Sequence, residues 1–443
     1  MSRYKRMIFG IGERLHGWDV IKKLHRLEEM EDWDRSQIEL FQLEQLQKLT
    51  THAYQNVPFY KDLWDRYNVH PDKIYSLEDL ACFPKVTKKM LVEAGDRTLD
   101  KTQAKGSFVE GRSSGSTGEQ FVYYKTISHQ SWFIAGQFHG WKWAGWNIGE
   151  PWIRLQFRGN IGLRAKMEDR IFNCLYMPID ELSNDYLHKF VPKAIRFNPT
   201  MLRGYAGGTY VLSQFLLKNS AYTLSPKVVV CTGDTLYPHY RKSIESAFNC
   251  AVFDTYGGEG MSIANQCRKG SYHIVPVVYL EHEPEGPKLE NSQPGRLLVT
   301  NLTNFAMPLI KYDIGDIGIM GQGTCACGRE WKYLKEIVGR ETDIIVTPEG
   351  RYLVCHHFNN ILRQFEGIEQ FQIIQNDLRS ITVNMVVNEK YEKDGSEPII
   401  KKQLYIIGGR EIDVILNYVD LILAPKSGKR RYIISKVGTG ASE

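Results

Sequence analysis

An α/β fold is predicted for this chain: a large N-terminal domain with mixed and parallel strands, followed by a small α+β C-terminal domain. Three observations predict it. Strand-like and helix-like patterns alternate between Trp152 and Phe248, short apolar strands there have the composition of a buried parallel sheet, and the pattern changes past Gly339-Arg340. In chain order, Ile38 to Thr51 repeats Leu40, Leu43, Leu46 and Leu49 at helical spacing and breaks at Asn56-Val57-Pro58, which predicts a helix packed on a core. Trp152-Ile-Arg-Leu-Gln-Phe157 is aromatic and branched and reads as a strand, and Lys227-Val-Val-Val-Cys231 suits a buried parallel one. Helical patterns cover Tyr186 to Phe197, Gly207 to Lys218 and Pro238 to Phe248. A β-rich part follows with Arg296 to Thr300 and Ile314 to Met320. Beyond residue 340, strands at Asp343 to Thr347, Phe371 to Gln375 and Ile381 to Val386 surround a helix from His356 to Phe365, so the expected domains are 1–340 and 341–443.

Composition narrows the function. With 443 residues, 42% apolar and 24% charged, the chain is long enough for a large core and a second domain. A net charge of +5 over that length provides no electrostatic footprint for nucleic acid. No signal peptide or membrane span is visible, and a cytoplasmic protein is expected. Eight cysteines are too few for a secreted disulfide scaffold, and clustered ones suit metal better.

The segment Arg112-Ser-Ser-Gly-Ser-Thr-Gly-Glu-Gln120 carries the strongest chemical signal. Successive free N–H groups in such a run form a concave anion nest, glycine lets phosphate approach the backbone, and hydroxyls add donors. ATP is the implied ligand, although the spacing is not that of a Walker loop; taken alone, the run also reads as a flexible loop. Five motifs follow in order: Thr232-Gly-Asp-Thr-Leu236, Asp254-Thr-Tyr-Gly-Gly-Glu-Gly260, Lys311-Tyr-Asp-Ile-Gly-Asp316, Gly339-Arg340 with Asp343, and Pro425-Lys-Ser-Gly-Lys-Arg-Arg431.

Together these motifs resemble the adenylate-forming acyl/aryl-CoA synthetase superfamily, and within it the phenylacetate-CoA ligase group. The CapK-like branch, associated with capsular polysaccharide biosynthesis, is suggested by His52-Ala-Tyr-Gln-Asn-Val-Pro-Phe-Tyr60, Leu202-Arg-Gly-Tyr205, Gly258-Glu-Gly-Met-Ser-Ile-Ala264 and Phe371-Gln-Ile-Ile-Gln375. The resemblance implies that an organic acid, aryl or arylacetic among the candidates, is joined to the α-phosphate of ATP, with transfer of the acyl group to CoA or, alternatively, to an amine. It assigns Ser113, Ser114, Gly115, Ser116, Thr117 and Gly118 to the β and γ phosphates, Glu259 to Mg²⁺, Asp316 to the ribose hydroxyls and Arg340 to ribose and phosphate. Gly233, Asp234, Tyr256 and Gly257 would line the adenine, and Lys429 would bridge the acid and the α-phosphate from a mobile small domain turning about Thr342-Asp343. The chain departs from the pattern in three places. Glu119-Gln120 stand where a Pro or Lys-Pro is common, the tyrosine-to-glutamate segment is one residue short, and Lys311 replaces the usual Arg.

Cys267, His273, Cys325 and Cys327 supply three thiols and an imidazole, the donor set of a closed structural zinc site, or else are four unrelated side chains. Phenylacetate-CoA ligase relatives that carry such a cluster at matching positions favour zinc, with a folding role. Cys82, Cys174, Cys231, Cys250 and Cys355 are expected to be buried small hydrophobes. Trp132, Trp141, Trp143, Trp146 and Trp152 would line an aromatic acid pocket or, more commonly for such a stretch, fill the core. No Gly-x-Ser-x-Gly is present, which disfavours a serine hydrolase. The rival to an enzyme is a nucleotide-binding relative without ligase activity. Expected partners are a small-molecule carboxylic acid, CoA or an amine, and at most a second copy in a homodimer, with neither nucleic acid nor membrane insertion.

Overall fold

The computed structural model describes residues 9–10, 12–14, 16–112, 121–156, 162–179, 182–284, 293–340, 345–348, 352–353, 358, 361–362, 364–409, 412–422 and 431–437. They fold as two compact units. The first comprises 1–281, 298–314 and 321–335, and the second 282–297, 315–320 and 336–443.

In the first unit, helices α1 (Val20–Glu29), α2 (Arg35–Asn56) and α3 (Pro58–Arg66) come first. Asp34 accepts from the Gln37 N–H in a capping box that starts α2, and α2 stops where Pro58, which has no N–H to donate, opens α3. The buried face of α2 is Ile38, Gln42, Leu46, Leu49 and Ala53, and Leu40 is 60% exposed, contrary to the leucine stripe. A strict three-residue repeat drifts around a helix of 3.6 residues per turn, so not all four leucines can share one face.

Next come the hairpin strands β1 (Val109–Arg112) and β2 (Val122–Lys125), helix α4 (Ile127–Ala144), β3 (Trp152–Gln156), α5 (Leu163–Ile171), β4 (Cys174–Pro178), α6 (Asn184–Phe197), β5 (Met201–Tyr205), α7 (Ala206–Lys218), β6 (Val228–Thr232), α8 (Pro238–Phe248), β7 (Ala251–Gly258), β8 (Met261–Gln266) and β9 (Tyr272–Ile274). Seven of these strands form a sheet in the order β9-β8-β7-β6-β5-β3-β4. From β7 to β4 all neighbours are parallel, whereas β7-β8 and β8-β9 are antiparallel. The alternation read between Trp152 and Phe248 is therefore a crossover α/β sheet with mixed edges. The tryptophan stretch belongs to its core: Trp141, Trp146 and Trp152 are buried against α1, with Trp132 and Trp143 packed alongside. Cys174 and Cys231 are buried as expected, but Cys250 is half-buried and Cys82 exposed because it ends a surface 3₁₀ turn, Leu77–Cys82. Cys355 lies outside the described residues.

Strands β10 (Val278–Pro284), β11 (Pro294–Asn301), β12 (Tyr312–Met320) and β13 (Tyr333–Arg340) are neighbours in that order. Residues 282–297, 315–320 and 336–340 of this β-rich stretch group with the second unit. That unit also holds β14 (Ile345–Val346) paired with β15 (Tyr352–Leu353), and a sheet ordered β18 (Asp413–Tyr418), β17 (Ser380–Val387), β16 (Ile368–Asp377), β19 (Ile433–Ser435), with helix α9 (Lys393–Gly408). Most of the helix expected at 356–365 lies outside the described residues; Phe358, Ile361 and Leu362 are helical and buried. Among the described residues no helix is long and apolar enough to cross a membrane.

Candidate functional site

In the first unit, the candidate residues gather at the carboxyl ends of β5, β6 and β7, where open parallel sheets leave backbone groups and loops available to ligands. Gly233, directly after β6, has φ +79°, and a Cβ there would lie 2.5 Å from the Tyr205 ring. Asp234 accepts from the Ala206 N–H at 2.6 Å and the Gly207 N–H at 2.9 Å, so its carboxylate caps the N-terminus of α7. Tyr256 lies on β7, and a Cβ on Gly257 would meet the Met261 carbonyl oxygen at 2.3 Å.

Glu259 and Gly260 form the two-residue loop between β7 and β8, with Gly258 opposite Met261. Both loop residues have positive φ, 45° and 76°, as a type I′ hairpin turn demands. Asn-Gly is the sequence preferred there. A glutamate in the left-handed region costs about 1 kcal/mol, and strain of this kind gathers at working sites. Asp254, in the same motif, is buried and accepts from the Tyr272 hydroxyl at 2.9 Å; burial pushes its pKa up to about 7.

The glycine-rich segment 113–118 lies outside the described residues, but its anchors do not. Strands β1 and β2 pair antiparallel with Arg112 opposite Val122, so the segment joins the two strands of a hairpin. None of the sequence motifs includes β2, yet two of its residues reach the site. Tyr123 and Lys125, two apart on β2, both abut the Glu259-Gly260 turn: a Cβ on Gly260 would lie 2.7 Å from Tyr123 Cε2 and 2.9 Å from Lys125 Cδ. Burial first, then the charges of Glu259 and Tyr205, push the Tyr123 hydroxyl up to about 12. His129, in the first turn of α4, lies 3.1 Å from the Gly260 carbonyl through Nε2, and burial brings its pKa down to about 3, so the ring is neutral. Nothing in the run Val122-Tyr-Tyr-Lys125 distinguishes these two residues from those of an ordinary short strand.

Asp316 is buried in the second unit, directly after Gly315 with φ +77°. Arg340 ends β13, and its side chain, like the whole of Lys429, lies outside the described residues. Lys311 has φ 48° and sends Nζ to the carbonyls of Leu80 (3.3 Å) and Ala81 (2.6 Å), clamping the Leu77–Cys82 turn, a structural use of the position where Arg is common.

Cys267, His273, Cys325 and Cys327 converge, their ligand atoms all within 4.8 Å of one another. Cys267 Sγ lies 3.9 Å from Cys325 Sγ, and Cys327 Sγ 3.2 Å from His273 Nε2. Tetrahedral zinc with Zn–S bonds near 2.3 Å sets sulfur atoms roughly 3.8 Å apart, so the donors fit the ion. Arg329 donates to Cys327 Sγ at 3.6 Å, stacks on Trp143 and reaches Glu31 at 3.3 Å. Glu31 also pairs with His139 at 2.8 Å and accepts from Trp143 Nε1 at 2.9 Å. Burial alone would raise the Glu31 pKa, but these hydrogen bonds and the Arg329 charge outweigh it and bring the carboxyl down to about 2. A depressed carboxyl contributes stability above its unfolded pKa of 4.5 and loses it as pH falls toward 2. Glu31→Gln is expected to cost about 3 kcal/mol at pH 7, with the urea-midpoint gap to the parent shrinking below pH 4.5; a gap independent of pH would contradict this assignment.

Known proteins resemble this chain in sequence and in fold. Residues 345–436 match the family described as the CapK C-terminal domain. The chain is 22% identical over 440 residues to protein CapK of Staphylococcus aureus, covering 95% of this chain and 93% of that protein. It is 26% identical to the phenylacetate-coenzyme A ligase of Thermus thermophilus, covering 72% and 74%. Among solved structures it resembles 2-hydroxyisobutyryl-CoA ligase in the postadenylation state, with a TM-score of 0.74, 16% identity and 92% of each chain covered. Motif order, fold and these similarities support a place in the phenylacetate-CoA ligase-like family of adenylate-forming enzymes and the activity of an AMP-forming acid ligase.

Proposed function

We propose that the protein activates a small organic acid, aryl or arylacetic acids being the first candidates, as an acyl-adenylate and passes the acyl group to CoA. The acid's carboxylate oxygen attacks the α-phosphorus of ATP, the bond to the bridging oxygen of the β-phosphate breaks, and pyrophosphate leaves with that electron pair. The CoA sulfur then attacks the acyl carbon, the thiol proton passes to solvent, and AMP leaves as the carbon–oxygen bond breaks. The observation that carries this reading is the strained Glu259-Gly260 turn: a carboxylate held at φ 45° where Asn or Gly would sit more easily, beside the hairpin that bears the glycine-rich segment.

In this reading Ser113 to Gly118 hold the β and γ phosphates, Glu259 orients Mg²⁺, and Gly233, Tyr256 and Gly257 line the adenine. Asp234 contributes through the turn that its cap on α7 fixes. Asp316 accepts from the ribose hydroxyls and Arg340 balances phosphate charge. Lys429, delivered by the 341–443 domain, holds the acid against the α-phosphate. Mg²⁺ would neutralise pyrophosphate as it leaves. Zinc held by Cys267, His273, Cys325 and Cys327 would fill all four coordination positions and serve folding alone. Support for CoA comes from similarity to phenylacetate-coenzyme A ligases. An amine acceptor giving an amide is the second reading.

Thiol titration during turnover with acid, Mg²⁺ and ATP decides the acceptor: loss of one CoA thiol per AMP formed supports the thioester, and AMP formation stimulated by an amine but not by CoA overturns it. Glu259→Gly separates strain from function. Glycine relieves the left-handed backbone, so unfolding free energy should change by no more than about 1 kcal/mol, in the stabilising direction, while adenylation falls by at least about 10²-fold. Retained activity at low Mg²⁺ would remove Glu259 from the metal's partners.

A further inference from the structure

The segment 113–120 contains no cation and one acid, Glu119, yet the reading proposed above asks it to hold a triphosphate. Further along β2, three residues beyond the Arg112–Val122 pair that flanks the segment, is Lys125, 6% exposed, whose side chain makes no hydrogen bond or ion pair among the described residues. Its ammonium lies over two rings, 5.5 Å from the centroid of Tyr123 and 5.3 Å from that of Phe133. The side chain packs on Gly260, against the turn that presents Glu259. His129, the nearest titratable neighbour on α4, is neutral and offers no counter-charge. Burial lowers the Lys125 pKa to about 8, and no carboxylate offsets that loss.

A buried cation with only ring faces for company costs stability, and such a group persists where a ligand supplies the missing charge. Acyl chains carry no charge to offer. A triphosphate does, and the turn that presents the carboxylate meant to hold its Mg²⁺ packs directly on Lys125, on a strand of the same hairpin that bears the glycine-rich segment.

We propose that Lys125 is a nucleotide-binding residue that contacts the β/γ end of the ATP polyphosphate, supplying from the strand the cation that the loop lacks. The proposal rests on the adenylating function above and goes beyond it by assigning charge recognition to a residue outside the motifs.

Calorimetric titration of the full-length protein with Mg·ATP and, separately, with AMP tests it, using Lys125→Met, which keeps the aliphatic packing, and Lys125→Arg, which keeps the charge. Lys125→Met should weaken Mg·ATP by about 10- to 100-fold, the worth of one charge-assisted contact, leave AMP affinity and the KM for the acid unchanged, and melt no lower than the parent. Lys125→Arg should recover part of the ATP affinity. Unchanged ATP affinity in Lys125→Met overturns the proposal. So does a rise in the acid's KM without loss of ATP affinity, which would place the cation on the substrate carboxylate. A parent protein that binds neither Mg·ATP nor AMP would contradict the functional reading itself, an outcome distinct from parent binding that Lys125→Met leaves intact.

Discussion

Lys429→Ala is expected to reduce acid-dependent exchange of pyrophosphate into ATP by about 10² to 10³, the worth of a positioned cation where negative charge develops. The effect is electrostatic. The carboxylate and the α-phosphate repel each other, and only a cation reaching both at once lowers the cost of bringing oxygen to phosphorus. Lys426, three residues earlier in the same basic run, lacks that role, so Lys426→Ala should retain most of the exchange. The two variants should melt together with the parent. Transfer to acceptor from chemically prepared acyl-adenylate should survive in Lys429→Ala, which separates loss of adenylation from loss of the protein. Equal exchange in the Lys429 and Lys426 variants would remove the lysine from the mechanism.

The second large effect concerns metal. Purified protein is expected to contain about one zinc per chain, and Cys325→Ala to lower the unfolding free energy by more than about 4 kcal/mol, a loss in the range reserved for failures such as a broken metal site. The cause is local: Cys267 and Cys325 are buried, 3% and 4% exposed, and link the end of β8 to the 325–327 turn, while His273 on β9 faces Cys327. Without an ion these donors become a buried polar cluster with little to bond. Below the melting transition the variant should retain adenylation per folded molecule, since a closed site has no coordination position for substrate. Elemental analysis and thermal melts check this together. A metal-free preparation with the parent's melting temperature would end the zinc assignment.

The extent to which the sequence disclosed this architecture depends on what local patterns encode. Helix α8 runs from Pro238 to Phe248 as read, because a proline fixes its first turn and Asn249, at φ 49°, ends it. The crossover alternation was legible because β6 is an uninterrupted apolar run buried on both faces. The face of α2 was misread, since leucines three apart suggest a stripe that a 3.6-residue turn then winds away from the core. Membership of segments 282–297 and 315–320 in the second compact unit has no local signature, as it depends on which neighbours each strand finds after the chain has crossed.

Site chemistry was legible in proportion to how much of it sits in contiguous motifs. Glu259 and Gly260 stand out because a hairpin turn is a two-residue event. The convergence of Cys267 and His273 with Cys325 and Cys327 could be suspected from donor type alone, yet nothing in one dimension shows that β9 brings His273 within 3.2 Å of Cys327. Lys125 was invisible for the same reason. In the sequence it is one more lysine at the end of a short strand; only the packing of α4 and the Gly260 turn around it shows a cation without a counter-charge.

The central claim is that this chain couples an organic acid to the α-phosphate of ATP. Exchange of labelled pyrophosphate into ATP by the intact protein, with Mg²⁺ and a panel of carboxylic acids, measures that step without assuming the acceptor. Exchange that appears with one acid or a narrow group of acids, and vanishes in their absence, is the predicted result. Tight binding of ATP with no exchange for any acid in the panel would contradict the claim and leave a nucleotide-binding protein in its place.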